Sequence, residues 1–364
     1  MSRNWTAARS MTCVAALSAA IVTLTACGSD NGASNNSSQS VKAGCATGSL
    51  SGGGSTFQPN IEQQWTADFA QRCSGAQVNY SGIGSGAGIQ QFGTGTIDFA
   101  GSDVPMLPDE KQAADNRCGG TAITFPVTAG GIAVIYHLDG APKLRLSAAT
   151  LAGIFQGSIK HWDDAAVKAD NPGARLPSTA VVSYHRADGS GTTAVFSAFE
   201  KAATTAWTLG SDKELNWTSG QGAMGSDGVV QGVKSTNGGI TYAEVSYADA
   251  NNLPTASVAA GKGDFVTLSS DTVSQAIDSG FTVTGSGNDV SGQVDFAKLQ
   301  GYPLSTVSYA IACSHYAKGD TAALIKAFLG YVLGDGQSGV DALGYAPLPS
   351  SVLGRSKAAI QSVG

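Results

Sequence analysis

Apolar residues along this chain follow two different spacings. Ile61, Trp65 and Phe69 recur every four residues behind Pro59, a pattern that predicts one face of an α-helix. Residues 132–136 form a continuous apolar run, which is typical of a strand buried on both faces. Shorter segments continue the alternation, with strands predicted at 50–53, 78–80 and 97–100 and a helix at 89–92. The alternation predicts an α/β protein with mostly parallel sheets and flanking helices.

The length of the folded part predicts two lobes. Residues 45–364 form a longer chain than usually folds around a single hydrophobic core. We assign residues 45–128 and 301–364 to the first lobe and residues 129–300 to the second. Open parallel sheets bind ligands beyond the carboxyl ends of their strands, so we expect the ligand in the cleft between the lobes.

The first residues of the chain have the composition of an export signal. Arg3 and Arg9 precede an apolar stretch at 11–26, which is too short to span a membrane comfortably and ends in small residues. We therefore predict a signal peptide over residues 1–26.

The residues that follow predict a lipid anchor. Leu24-Thr25-Ala26-Cys27 resembles the bacterial lipobox, and this resemblance implies cleavage before Cys27 and attachment of lipid, such as palmitate, to that cysteine. Residues 27–44 are rich in Ser, Asn and Gly and are predicted to form a flexible tether. The protein is thus expected on the outer face of the cell membrane, in contact with the membrane only through its lipid.

The charge balance excludes one class of partner. The chain has 21 Lys and Arg against 27 Asp and Glu, a net charge of −6. A nucleic-acid-binding protein needs a basic face, which this composition does not supply. The acidic balance does not exclude an anionic ligand, because hydrogen-bond donors act at contact range and distant carboxylates are screened over about 10 Å.

Four cysteines beyond the tether predict two disulfides, because an exported chain with an even number of cysteines usually pairs them. Three pairings are possible, and we favour Cys73–Cys118 together with Cys45–Cys313. Cys73 ends the first predicted helix and Cys118 follows another helical stretch, so a bridge between two neighbouring helices is reasonable. No two cysteines have Cys-x-x-Cys spacing and the four histidines are scattered, so we predict neither a metal site nor a cofactor.

The segment at 185–193 has the chemistry of an anion site. A helix predicted to begin near Gly191 leaves backbone N–H groups unsatisfied, and its dipole adds partial positive charge there. Arg186 can add a bidentate fork, which Asp188 can hold in place. Taken alone, the segment also fits an ordinary capped helix with a surface ion pair.

Three other segments extend this donor-rich pattern. Residues 54–57 and 82–88 each lie between a predicted strand and a predicted helix, and both offer hydroxyls and N–H groups without bulky side chains. Residues 98–103 instead end a strand with a carboxylate, that of Asp103. A carboxylate among donors accepts a hydrogen bond only from a ligand that carries a proton.

In their order and spacing, these segments resemble the periplasmic phosphate-binding proteins of phosphate ABC transporters over most of the chain. Further matching segments lie at 154–164, 171–173, 176–177 and 239–242. The resemblance implies a two-lobed periplasmic-binding-protein fold. It also implies inorganic phosphate as the ligand, the transporter's permease and ATPase subunits as partners, and a monomer.

The resemblance implies a ligand set residue by residue. The implied phosphate ligands are Thr56, Phe57, Ser85, Asp103, Arg186, Ser190, Gly191 and Thr192, with Asp188 orienting Arg186. Phe57 would donate through its backbone N–H, and Asp103 would accept the proton of the bound phosphate. Sulfate carries no proton at neutral pH and would leave this acceptor unpaired, at a cost of about 1–3 kcal/mol or more.

Two other classes of function stay open, a secreted phosphatase-like enzyme and an envelope adhesion lipoprotein on the same scaffold. A phosphatase would need a nucleophile with a base, or a pair of metal ions, and the donor-rich segments show neither. A purely adhesive protein has no use for a converging set of donors. We therefore expect a receptor without catalytic residues that captures phosphate outside the membrane and delivers it to an ABC permease for import.

Overall fold

Strands and helices alternate along most of the chain. The computed structural model describes residues 44–141, 143–259 and 264–364. The predicted signal peptide, Cys27 and the tether up to residue 43 lie outside these residues. The strands are β1 (Gly48–Gly54), β2 (Ala76–Gly82), β3 (Phe99–Ser102), β4 (Ala122–His137), β5 (Arg145–Ser147), β6 (Val182–Arg186), β7 (Gln221–Ala223), β8 (Gly239–Glu244), β9 (Ser257–Ala259), β10 (Phe281–Val283), β11 (Gly292–Val294), β12 (Ser305–Cys313) and β13 (Tyr345–Ala346).

Helices connect most of these strands, and their bounds are as follows. The α-helices are α1 (Pro59–Arg72), α2 (Ser85–Gly93), α3 (Pro108–Cys118), α4 (Ala148–Phe155), α5 (Ala165–Asp170), α6 (Gly191–Ala203), α7 (Gly225–Lys234), α8 (Val245–Asn251), α9 (Ser270–Gly280), α10 (Gly319–Val332) and α11 (Ser350–Gln361). Two 3-10 helices lie at Asp335–Gln337 and Val340–Leu343. Among the described residues, no helix has the length and apolar character needed to cross a membrane.

Nine of the strands form one mixed sheet with the order β2-β1-β3-β12-β4-β8-β6-β7, and β13 pairs with β4. β1 runs parallel to β2 and β3, and β6 runs parallel to β7 and β8, whereas β12 is antiparallel to both of its neighbours. The predicted α/β class is confirmed. The parallel pairs lie towards the two ends of the sheet and the antiparallel pairs at its centre.

β4 joins the two halves of the sheet. This strand has 16 residues, of which the first part pairs with β12 and the second part, from Ile132, pairs with β8. The predicted buried strand at 132–136 is thus the second part of a longer one. The predicted lobe boundary between residues 128 and 129 falls inside β4, and the lobe limits stay a prediction.

Local signals place two of the helices. α1 begins at Pro59 and buries Ile61, Trp65 and Phe69, as their spacing predicts. The indole N–H of Trp65 donates to the Gly336 carbonyl at 2.7 Å, which ties α1 to the C-terminal part of the chain. α6 begins at Gly191 behind Ser190, whose hydroxyl accepts from the third N–H of the helix.

The predicted disulfide pairing is wrong. The structure pairs Cys45 with Cys73, at a Cα–Cα distance of 5.4 Å, and Cys118 with Cys313, at 5.3 Å. Cys45 meets Cys73 because β1 starts beside the residues that follow α1, where the Gly48 N–H donates to the Gly75 carbonyl at 2.9 Å. Cys118 ends α3 just before Ala122, which lies opposite Cys313 in the pairing of β4 with β12.

Removal of the longer-range disulfide should destabilise the protein more than removal of the shorter one. The Cys118–Cys313 bridge closes a loop of 195 residues and the Cys45–Cys73 bridge a loop of 28. The loop-entropy relation then gives roughly 5 kcal/mol for the first bridge and roughly 3.5 kcal/mol for the second. Urea unfolding of the two double Cys→Ser variants measures this order, and a larger loss without the shorter bridge would contradict it.

Candidate functional site

Arg186 and Asp188 form a buried ion pair at the end of β6. The Arg186 Nε donates to Asp188 Oδ1 at 2.7 Å, and its Nη2 binds Asp188 Oδ2. Their side chains are only 1% and 8% exposed, so this is not the surface ion pair of an ordinary capped helix. Burial by itself would raise the pKa of Asp188, but the hydrogen bonds and charge of Arg186, together with the Gly225 N–H, lower that pKa overall.

The loop after β1 meets the guanidinium. Gly54 has a φ of +142°, and a Cβ there would lie 2.1 Å from the Gly101 carbonyl oxygen, so the close approach of β1 and β3 requires glycine. The loop then carries Thr56, whose Oγ1 lies 2.8 Å from Arg186 Nη1 and 2.8 Å from Ser226 Oγ. Because a guanidinium only donates, the Thr56 hydroxyl accepts from it, and the hydroxyl proton of Thr56 remains available for a hydrogen bond to another acceptor.

The loop that precedes α2 meets the start of α6. Ser85 is buried, and its Oγ accepts from the Asp103 N–H at 3.3 Å. A Cβ on Gly191 would lie 2.4 Å from Ser85 Oγ and 2.7 Å from Asp103 Oδ2, so only glycine fits between these groups. Gly191 and Thr192 are in the first turn of α6, where backbone N–H groups have no partner within the helix.

Asp103 is the acceptor of this cluster. Ser55 and Ser308 each donate a hydroxyl to its Oδ1 at 2.6 Å, and Thr192 Oγ1 lies 3.5 Å from its Oδ2. Burial raises the pKa of Asp103, and the hydrogen bonds from Ser308 and Ser55, the charge of Arg186 and the hydrogen bond from Thr192 oppose that rise.

The structure brings the residues of the implied ligand set into one connected cluster. Phe57 joins through its backbone N–H, which donates to Ser55 Oγ at 2.9 Å, so this N–H must leave Ser55 to bind phosphate as the resemblance implies. Ser190 precedes Gly191 as the cap of α6; its N–H is occupied by the Lys213 carbonyl at 3.0 Å, and its hydroxyl accepts from the Thr193 N–H and keeps its own proton. The cluster thus contains one cation, several hydroxyl and N–H donors, and one carboxylate aimed at the donors of α6.

Ser226 and Ser308 belong to this cluster, and the sequence analysis did not identify either. Ser308 is fully buried in β12, next to Val307 and Tyr309. A buried hydroxyl needs a partner, but this signal does not single out Ser308, because β12 also carries the buried hydroxyls of Ser305 and Thr306. Ser226, at the start of α7, contacts Thr56 and carries no comparable signal.

The arrangement suits a small oxyanion that still carries a proton. Arg186 supplies one positive charge within a chain whose net charge is −6. The hydroxyls and helix N–H groups supply donors, and Asp103 supplies the acceptor for a ligand hydroxyl. Among the residues that the structure describes, no group of three or more His, Cys, Asp and Glu side chains could hold a metal ion.

Comparisons with known proteins agree with this chemistry. A PBP superfamily domain matches residues 39–336. Phosphate-binding protein PstS 3 of Mycobacterium tuberculosis is 39% identical over 361 residues, which cover 96% of this chain and 97% of the relative. Phosphate-binding protein PstS of Pasteurella multocida is 32% identical over 322 residues, which cover 85% of this chain and 89% of that relative.

A solved structure shares the fold. The periplasmic phosphate-binding protein PfluDING, solved with bound phosphate, aligns with a TM-score of 0.70 at 22% identity, over 85% of this chain and 93% of that chain. This likeness confirms the predicted two-lobed periplasmic-binding-protein fold. With the identity to the bacterial relatives over nearly its whole length, the chain belongs to the PstS family of phosphate-binding proteins, within the PBP superfamily.

Proposed function

We propose that this protein is an extracytoplasmic receptor that captures inorganic phosphate and delivers it to an ABC permease for import. The observation that carries the proposal is that one donor-rich cluster contains both the buried Arg186 guanidinium, which is ion-paired with Asp188, and the buried Asp103 carboxylate. The guanidinium attracts an anion, and the carboxylate requires that the anion carry a proton. Phosphate meets both requirements at neutral pH. The relatives of this protein are named as phosphate-binding proteins.

The ligand contacts in this proposal are those that the family resemblance implies. Arg186 and the hydroxyls of Thr56, Ser85 and Thr192 would donate to phosphate oxygens, together with N–H groups at the start of α6. The guanidinium fork is held by Asp188 before the ligand arrives, which reduces the entropy lost on binding. Asp103 would accept the phosphate proton.

The cellular setting is part of the same proposal. The signal peptide and the lipobox-like Cys27 support a protein tethered by lipid to the outer face of the cell membrane. There it would act as a monomer and dock on the permease, whose ATPase subunits power import. It would act as a receptor rather than as an enzyme, and the names of the relatives support this reading.

Calorimetric titration of the purified protein, stripped of bound ligand, tests the proposal. We expect one phosphate to bind per chain and no heat with sulfate, because sulfate has no proton for Asp103. Arsenate, which resembles phosphate in shape and protonation, should bind nearly as well.

Other outcomes of the same experiment would overturn parts of the proposal. Equal binding of phosphate and sulfate would remove the role of Asp103 and leave an unselective anion receptor. Release of phosphate from a phosphate monoester, in a parallel assay, would favour the phosphatase alternative. Binding of no anion at all would favour the adhesion alternative.

A further inference from the structure

The two oxygens of the Asp103 carboxylate have different surroundings. Oδ1 accepts from two hydroxyls, those of Ser55 and Ser308, each at 2.6 Å. Oδ2 faces the start of α6, where Thr192 Oγ1 is 3.5 Å away, a long distance for a hydrogen bond between oxygens. The carboxylate therefore has one oxygen satisfied by the protein and one directed at the helix start that is implied to bind the ligand.

Gln58 determines the direction of the Ser308 hydrogen bond. The Gln58 side-chain amide lies 2.9 Å from the Tyr309 carbonyl oxygen, which can only accept, so the atom at that position is the donor Nε2. The same Nε2 lies 2.7 Å from Ser308 Oγ. Ser308 must accept this bond, so its single proton goes to another acceptor. Asp103 Oδ1 lies 2.6 Å from Ser308 Oγ and the Ser102 carbonyl oxygen lies 3.3 Å away, so the shorter bond to Asp103 takes the proton.

The backbone of β12 is irregular at this point. The register between β12 and β4 shifts between Ser308 and Tyr309, where Tyr309 lies opposite Pro126. Such bulges re-aim side chains and are common beside functional sites. Ser308 and Gln58 are both essentially buried, so water does not replace either bond when it is lost.

We propose that Ser308, oriented by Gln58, is a positioning residue for phosphate recognition that keeps Asp103 Oδ1 occupied and leaves Oδ2 to accept the ligand proton. The inference rests on the proposed function. It adds a specificity determinant from β12 to a site built from the segments that follow β1, β2, β3 and β6. Ser55 donates to the same oxygen, so two hydroxyls act on Oδ1 together.

The hydroxyl donors also favour the charged form of Asp103. A donor to a carboxylate stabilises the ionised state, and the Ser308 bond lowers a pKa that burial raises. Among the residues that the structure describes, the other titratable groups that interact with Asp103 are Arg186, Tyr80, Tyr247 and Tyr309. Burial raises the pKa of all three tyrosines, so none of them titrates near neutral pH.

The test measures phosphate affinity of the full chain by calorimetry between about pH 5 and pH 9. Ser308→Ala removes one donor from Asp103, so Asp103 protonates at higher pH and affinity should begin to fall earlier on acidification. We expect this midpoint to move upward by roughly one pH unit, the equivalent of one lost hydrogen bond. Gln58→Leu should move the midpoint in the same direction by less, because Ser308 keeps its hydroxyl.

Ser305→Ala is the matched control. Ser305 is equally buried on the same strand, but its hydroxyl donates to the Tyr302 carbonyl at 2.7 Å and not to Asp103. The midpoint of Ser305→Ala should equal that of the unmodified protein. Ser308→Thr keeps a hydroxyl, so its midpoint should lie much closer to that of the unmodified protein than the midpoint of Ser308→Ala does. The ionisation of phosphate itself is the same in every titration, so a difference in midpoint between variants reflects a change in the ionisation of the protein.

Each result has a distinct meaning. Unchanged midpoints in Ser308→Ala, or equal losses of affinity at every pH in Ser308→Ala and Ser305→Ala, would reduce Ser308 to a packing residue and overturn the inference while phosphate binding stands. Failure of the unmodified protein to bind phosphate would instead overturn the proposed function. A midpoint shift confined to Ser308→Ala and Gln58→Leu would support the inference.

Discussion

Replacement of Arg186 by alanine should weaken phosphate binding by roughly 30-fold to several thousand-fold, the equivalent of about 2–5 kcal/mol. The guanidinium is only 1% exposed, so water does not screen its attraction for an anion. The substitution also leaves the Asp188 carboxylate buried without its partner and close to the bound anion. Calorimetric titration with phosphate measures the loss. Any residual sulfate binding should fall by the same factor, because the attraction of Arg186 for an anion does not depend on whether the anion carries a proton.

Two further variants serve as controls for the Arg186→Ala measurement. Arg175→Ala removes the same kind of side chain from an exposed position and should leave affinity unchanged. Arg186→Lys keeps the charge but cannot make the two-pronged contact with Asp188, so its affinity should lie between those of Arg186→Ala and the unmodified protein. Near-normal affinity in folded Arg186→Ala would show that the anion binds elsewhere.

Replacement of Asp103 by asparagine should lower the preference for phosphate over sulfate by about tenfold to a hundredfold. The Ser55 and Ser308 hydroxyls donate at the Oδ1 position, so the amide oxygen should occupy that position and the amide nitrogen should replace Oδ2. The site would then present a donor where the phosphate proton needs an acceptor. Phosphate loses a hydrogen bond and sulfate gains one.

Competition between phosphate and sulfate, followed by calorimetry, measures this change in preference. Asp98→Asn is the matched control, because Asp98 is a partly buried carboxylate at the start of the same segment that accepts from Ser51 and not from the site. It should keep the original selectivity. Undiminished discrimination against sulfate in Asp103→Asn would show that something other than proton recognition excludes sulfate.

Features that depend on neighbours in sequence were predictable. Pro59 and the spacing of Ile61 and Trp65 identify α1, and Ser190 before Gly191 identifies the start of α6. Capping and helix periodicity act over one or two turns, so their signals lie within a few residues of one another. The donor loops that follow β1 and β2 were visible for the same reason.

The disulfides and the support of Asp103 depended on which strands are neighbours. Cys118 pairs with Cys313 because β12 inserts between β3 and β4, an order that no local pattern encodes. The same insertion brings Ser308 to Asp103, which lies 205 residues earlier in the chain. The sequence by itself predicted α1, part of α2, the start of α6 and the donor loops, and their chemistry predicted an anion site. Only the tertiary structure decided the cysteine pairing and the orientation of the carboxylate, because both depend on contacts between strands that are distant in sequence.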